Sequence, residues 1–165
     1  MQADDSRLDR FVRAQDRDIA GFATAIAELE AGAKRTHWIW YVFPQIAGLG
    51  ASVMSLQFAI RDAAEASAYL QHDVLGPRLL EATHVVARQL ARGVRLRTLM
   101  GMDIDALKLV SSLTLFRQVA QTCAATSARA AELLAAAADV LQRAEQAGYP
   151  PCAFTLQQLT VPHHG

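Results

Sequence analysis

Apolar side chains recur at steps of three, four and seven residues along most of the chain, which is the spacing of one face of an α-helix. The first such stretch covers residues 6 to 31 and contains Leu8, Phe11, Val12, Ile19, Phe22, Ile26 and Leu29. Ser6 is the expected N-cap of this stretch and Gly32 its expected stop. Gly21 in the middle leaves open whether the stretch forms one helix or two.

The same spacing predicts further helices along the rest of the chain. We expect them over residues 53–61, 61–73, 75–91 and 126–147, with Asp62 as the cap of the second. Between residues 98 and 120 we expect a short helix and then a longer one that Asp103 or Asp105 caps. Gly148 and the two prolines Pro150 and Pro151 end the last long helix, and we expect residues 149–165 to form an arm on the surface.

No internal repeat or change of composition divides these elements. The 165 residues suit one globular domain, and 52% of them are hydrophobic. Two layers of packed helices are the simplest way to bury so many helical apolar faces. The sequence therefore predicts an all-α fold, a single compact domain of six to eight helices over residues 1–165.

Charge and motif content exclude several classes of function. Sixteen Lys and Arg residues balance sixteen Asp and Glu residues, so the zero net charge does not indicate nucleic-acid binding. No apolar run reaches the roughly 18 residues of a membrane span and the polar N-terminus is no signal peptide, so we expect a cytoplasmic protein. Cys123 and Cys152 are expected to be reduced thiols. Metal-ligand spacings and nucleotide-binding glycine loops are absent, and we expect no cofactor and no metal.

An aromatic and basic stretch, KRTHWIWYVFPQ, spans residues 34–45. We predict a short helix over residues 37–43 that ends before Pro44. On that helix Lys34, His37 and Tyr41 would share one face, and Trp38 would lie on another. Two interpretations stay open, since the rings are either core anchors with a solvated basic rim or the wall of a pocket.

As a pocket wall, this stretch has the chemistry to bind a planar, charged ligand. Trp38 or Trp40 could stack on a ring such as a nucleobase. Lys34 and His37 could meet a phosphate or carboxylate, and Gln45 offers both a donor and an acceptor to a base edge.

A second polar group interrupts the apolar helix DIDALKLVSSLTLF, residues 103–116. Lys108, Ser111 and Ser112 lie one turn apart and share a face, with Thr114 nearby and Asp105 one turn earlier. In one interpretation the hydroxyls bond back to the preceding turn, Lys108 reaches solvent and Asp105 is only a cap. In the other, these side chains form the polar wall of a pocket.

Together these stretches resemble the bacterial domain-of-unknown-function family 1810, whose members are often called calpastatin. The matching segments are LDRFVRAQ, AIAELEAGAKRTHWIWYVFPQIAGLG, AIRDAAEASAYLQHDVLGPRLLEAT and LKLVSSLTLF, over about residues 8–118. Two departures, a longer step at DRDIAG and Asp73 where the family tends to have proline, fall outside both polar groups.

The resemblance implies an all-α fold and a small cytoplasmic bacterial protein, but it names no reaction. The family is also distantly similar to the YbiA-like (NADAR) group, which is associated with cleaving N-glycosidic bonds of ADP-ribose or ribosylated amines. That likeness is an analogy at the level of the fold.

Two hypotheses of function follow. The first is a binding module for a nucleotide or ADP-ribose-like small molecule, with the ligand-binding residues Lys34, Trp38, Trp40, Tyr41, Gln45, Ser111, Ser112 and Thr114. The alternative is a YbiA-like N-glycosidase or ADP-ribosyl hydrolase with the catalytic residues His37, Asp105 and Lys108. Both require residues 34–45 and 108–114 to meet at one pocket. The alanine-rich helix over residues 126–147 also suits packing against a second copy, so a homodimer is a further expectation.

Overall fold

The computed structural model describes residues 2–161, with side chains from Ser6 onward, and these residues form ten α-helices and no strand. The helices are α1 (Gln2–Gln15), α2 (Phe22–Glu30), α3 (Ile39–Val42), α4 (Val53–Gln57), α5 (Ala63–Gln71), α6 (Leu75–Ala91), α7 (Leu96–Met100), α8 (Asp103–Cys123), α9 (Ala128–Gln146) and α10 (Ala153–Thr160). Seven of them have eight residues or more, and three are shorter. The predicted all-α class and single compact domain are confirmed.

Helix α8 runs through the centre of the domain. It packs against α3, α5, α7, α9 and α10, and α6 in turn lies between α2 and α9. The buried residues of α8 lie on all sides of the helix and include Leu109, Val110, Leu113, Leu115 and Phe116. A helix that is apolar nearly all round belongs in the middle of a core, and for this reason α8 shows only a weak amphipathic pattern.

The first predicted stretch consists of two helices, α1 and α2. The chain turns sharply before Gly21, where a Cβ atom would lie 2.1 Å from the Arg17 carbonyl oxygen, so only glycine fits this close approach. The expected N-cap at Ser6 is wrong, because α1 already begins at Gln2. The polar residues ahead of Ser6 carry no apolar periodicity, and the pattern therefore did not reveal that they are helical.

Local signals placed several other boundaries correctly. Helix α6 covers the predicted residues 75–91, and the side chain of Asp62 caps α5 by accepting a hydrogen bond from Glu65 N at 2.9 Å. The cap expected at Asp103 or Asp105 is wrong, since Met102 precedes α8 and no side chain caps it. Both aspartates instead lie in the first turn, where a negative charge interacts favourably with the helix dipole.

The segment expected to be a surface arm contains a helix. Helix α10 packs against α8, and the Cys152 N–H that precedes it donates to Thr114 Oγ1 at 3.1 Å. Thr155 of this helix is fully buried. The prolines in this segment signalled a loop, but they only separate α9 from α10. His163 and His164, which we placed on the arm, lie outside the described residues.

Over the described part of the chain, no helix has both the length and the apolar character needed to cross a lipid bilayer.

Candidate functional site

The segment that leads into α3 is fixed by one carboxylate, that of Glu28 at the end of α2. Glu28 accepts hydrogen bonds from the backbone N–H groups of Arg35 and Thr36, from the Thr36 hydroxyl and from Trp38 Nε1 at 2.7 Å. Burial raises the pKa of Glu28, but these donors outweigh burial and hold the pKa below its ordinary value of 4.5. The Lys34 N–H donates to the Leu99 carbonyl of α7 at 2.8 Å, which brings Lys34 beside the start of α8.

Replacing Glu28 with glutamine is expected to lower the free energy of unfolding by about 1–2 kcal/mol at pH 7, because the amide cannot accept from all of these donors. The folded pKa lies below 4.5, so the stabilisation is present above about pH 4.5 and is lost as the pH falls through the folded value. Urea titrations of both proteins at pH 7 and pH 3 measure this. The difference in free energy of unfolding between the wild type and Glu28→Gln should be smaller at pH 3 than at pH 7.

The matched control for this prediction is Glu30→Gln. Glu30 is exposed on the same helix, and its one ion pair in the described part of the chain is a long one of 3.9 Å with Arg88. Its replacement should change stability by less than about 0.5 kcal/mol. Equal losses of free energy of unfolding in the two variants would show that the Glu28 carboxylate does not hold the segment before α3 in place.

Three of the predicted site residues form one charged cluster. Lys34 Nζ lies 2.8 Å from Asp105 Oδ2, and Lys108 Nζ lies 3.7 Å from Asp105 Oδ1. The side chains of Lys34 and Asp105 are only 4% and 8% exposed, whereas that of Lys108 is 18% exposed. Lys34 Nζ also donates to the Thr36 carbonyl at 2.6 Å. The two polar stretches of the sequence therefore meet at this charged cluster, but no residue of 108–114 lines the pocket that adjoins the cluster.

Trp40 joins this charged cluster to a neighbouring pocket. The ammonium of Lys108 lies over the Trp40 ring, 4.4 Å from its centroid, in a cation–π contact. Trp40 is half-buried, and its Nε1 atom is buried with no hydrogen-bond partner among the described residues. A buried donor left unpaired costs about 1–3 kcal/mol, so this N–H is a place where an acceptor would be stabilising.

The pocket beside Trp40 has a volume of about 140 Å³. It is lined by Trp40, by residues 45–50 and by Ser55, Leu56, Phe58 and Ala59. The predicted ligand-binding residue Gln45 is part of this lining. We predicted a helix over residues 53–61 and no site residue between residues 46 and 59, although the glycines beside an aromatic stretch were a usable signal.

Backbone hydrogen bonds hold the pocket walls in place. Ile60 N donates to the Gln45 carbonyl and Ala47 N donates to the Ile60 carbonyl, both at 2.8 Å. From α1, the Arg10 guanidinium donates to the carbonyls of Gln57 and Ala59 and pairs with Glu65 at 3.0 Å. The pocket is thus formed by fixed backbone before any ligand binds.

Gly48 brings α10 against this pocket. Its φ angle is +103°, and a Cβ atom would lie 2.9 Å from the Phe154 ring. Both the backbone conformation and the close approach require glycine here.

Other predicted residues lie away from the pocket. Trp38 is fully buried and binds Glu28, although its ring lies 5.1 Å from Lys34 Nζ. Tyr41 is buried in the core and donates through its hydroxyl to the Ala20 carbonyl at 2.7 Å. His37 is exposed, and no contact joins it to the charged cluster within the described residues.

The helical face expected to hold Lys34, His37 and Tyr41 does not exist. Helix α3 begins only at Ile39, so Lys34 and His37 precede it in irregular backbone. Spacings of three and four residues predict a shared face only when all the residues are helical. The Glu28 carboxylate holds this segment in a non-helical conformation.

The hydroxyl residues of α8 lie further along the helix. Ser111 and Thr114 donate back to the carbonyls of Leu107 and Val110, which is the first of the two interpretations of this helix. Ser112 is fully buried and its hydroxyl has no partner among the described residues.

Cys152, for which we predicted only a reduced thiol, lies against this part of α8. Burial raises the pKa of its thiol, but the Ser111 hydroxyl and the backbone N–H groups of Thr155 and Phe154 outweigh burial, so the pKa lies below its ordinary value. Among the described residues, no three His, Cys, Asp or Glu side chains gather closely enough to hold a metal ion.

Comparison with known proteins places the chain in a family. The crystal structure of the conserved hypothetical protein Rv1873 from Mycobacterium tuberculosis is similar to it, with 37% identity, a TM-score of 0.72 and coverage of 94% of this chain and 97% of that one. The curated proteins contain no match. The model of the family DUF1810, described as a protein of unknown function, matches residues 5–140. The chain therefore belongs to the DUF1810 family.

Proposed function

We propose that this protein is a binding module for a small planar molecule, such as the base of a nucleotide, in the pocket beside Trp40. The observation that carries the proposal is the indole of Trp40, which lines a pre-formed pocket and has a buried N–H that finds no partner within residues 6–161. An aromatic ring provides a stacking surface worth about 1–3 kcal/mol for a base. Gln45 and Ser55 add an amide and a hydroxyl to the lining.

The size of the pocket limits what it accepts. A cavity of about 150 Å³ holds a benzene molecule. The 140 Å³ beside Trp40 therefore suits one ring, and the rest of a nucleotide would extend out of the pocket. Its lining has a few polar groups among mostly apolar ones, which is the usual composition of a small-molecule site.

The hydrolase alternative has less support. Its catalytic acid or base would be Asp105, but each oxygen of this carboxylate faces a lysine ammonium, which suits a role in holding Lys108. A second of the three proposed catalytic residues, His37, is exposed and lies outside the cluster that holds Asp105 and Lys108.

Ligand binding is tested with a panel of nucleobases, nucleosides and nucleotides. We expect at least one compound to raise the melting temperature, since a ligand at 100 times its Kd stabilises a protein by about 2.7 kcal/mol. Trp40→Ala should weaken binding of that compound by about 10-fold or more, as measured by isothermal titration calorimetry.

Leu159→Ala is the matched control, because Leu159 lines a different groove, between α5, α8 and α10. It should leave the affinity unchanged. If no compound shifts the melting temperature, or if Trp40→Ala binds as tightly as the wild type, the proposed function is wrong.

A further inference from the structure

The charged cluster beside Trp40 carries an excess of positive charge. It contains two ammonium groups, of Lys34 and Lys108, and one carboxylate, of Asp105. In the described part of the chain, no second carboxylate lies within 4 Å of either ammonium. One positive charge in a partly desolvated place is therefore not neutralised by the protein.

The excess charge lies on Lys108. Lys34 forms a close pair with Asp105 at 2.8 Å and also donates to a carbonyl, so its ammonium is well satisfied. Lys108 is 3.7 Å from the same carboxylate, beyond ordinary hydrogen-bond distance. Among the described residues its other contact is the Trp40 ring. An ammonium has three N–H donors, and those of Lys108 make no hydrogen bond within the described structure.

We propose that the ligand of the Trp40 pocket carries an anionic group, a phosphate or a carboxylate, and that Lys108 binds it. This inference rests on the proposed function and adds a chemical class to it. Trp40 belongs both to the pocket wall and to the contact with Lys108. A ring in the pocket therefore lies beside the indole. Lys108 is not part of the pocket lining, so the anionic group would be a substituent that extends out of this one-ring pocket past the indole towards the ammonium.

Asp105 and Lys34 are positioning residues in this arrangement. The close Lys34–Asp105 pair fixes the carboxylate, and the carboxylate orients Lys108 from one side. Because that second contact lies beyond hydrogen-bond distance, the N–H donors of Lys108 remain available to an incoming anion. A charge-assisted hydrogen bond to such an anion is stronger than one between neutral groups.

The test compares neutral and anionic members of matched pairs by calorimetry. Adenosine with its 5′-monophosphate probes a phosphate, and nicotinamide with nicotinate probes a carboxylate. We expect the anionic member of at least one pair to bind about 10-fold more tightly or better. Its affinity should fall with added salt, whereas that of the neutral partner should not.

Variants at Lys108 separate charge from folding. Lys108→Met keeps the length of the side chain and should remove the preference for the anionic member while the neutral member still binds within about two-fold. Lys108→Arg should retain the preference. Arg117→Met, an exposed change on the same helix, is the control and should alter neither affinity.

Two outcomes would overturn the inference, and they are distinguishable. If the neutral and anionic members bind equally and Lys108→Met changes nothing, the proposed function stands without an anionic ligand. If no member of either pair binds, and none of the wider panel shifts the melting temperature, the proposed function and this inference both fail.

Discussion

Replacing Asp105 with alanine is expected to lower the free energy of unfolding by about 3–5 kcal/mol. The substitution removes the only carboxylate of the cluster and leaves Lys34, whose side chain is 4% exposed, as an unpaired buried charge. Breaking a buried ion pair by removing one partner has a cost of this size because the other charge stays desolvated. At roughly 2–4 °C per kcal/mol for a domain of this length, the melting temperature should fall by about 10 °C.

A double variant distinguishes this cause from a simple loss of packing. Lys34→Met with Asp105→Leu replaces the buried pair by apolar groups of similar size, an exchange that is often neutral. The double variant should recover most of the free energy of unfolding that Asp105→Ala loses. Lys108 stays unpaired in it, but this side chain is more exposed and can turn its ammonium to solvent. Urea titrations measure all three proteins.

The surface pair of Asp139 and Arg143 supplies the control for Asp105→Ala. Their side chains are 3.1 Å apart but nearly half exposed, so Asp139→Ala should cost less than about 1 kcal/mol. A loss of that small size in Asp105→Ala would mean that the cluster is solvated like the surface pair. Water would then screen the positive charge of Lys108, and no partly desolvated excess charge would exist there.

Local chemistry explains which parts of the fold could be predicted. Helix α6 was predicted from end to end, because its apolar face is long and Pro77 falls in its first turn. The cap at Asp62 was found for a similar reason, since an aspartate before an alanine-rich run is a strong start signal. Such signals act within a few residues and need no knowledge of the rest of the fold.

The errors arose where a distant partner decided the outcome. Asp105 has the right position for a cap, but Lys34 of another segment binds its side chain. Residues 37 and 38 have a helical pattern, yet Glu28 of α2 holds them outside α3. Propensity is a weak prior when a tertiary contact competes with it.

The candidate site was predictable in its chemistry and only partly in its geometry. Lys34, Trp40, Asp105 and Lys108 were singled out as polar or amphipathic residues in apolar surroundings, and the fold brings them together. For the pocket wall that follows Gln45, the sequence offered only its glycines as a signal, because backbone pairing with the distant Ile60 creates the wall.

Alanine substitution of the two tryptophans is expected to lower the free energy of unfolding by different amounts. Trp38→Ala should lower the free energy of unfolding by about 3–5 kcal/mol, since its ring is fully buried in the core. It also removes one of the donors that bind Glu28. Trp40→Ala should cost less than about 2 kcal/mol, because the ring is half-buried and its N–H has no partner to lose.

Affinity for a ligand should depend on Trp40 and not on Trp38. Comparing stability and affinity therefore distinguishes a residue of the pocket wall from a residue of the core. Trp38→Phe, a milder change that keeps a ring in the core, should retain the affinity for any compound that binds the wild type. Trp40→Ala should lose it while unfolding as cooperatively as the wild type in urea. If Trp40→Ala instead proved as destabilising as Trp38→Ala, the indole would be an anchor of the core like its neighbour. The stacking surface on which the binding proposal depends would then not exist.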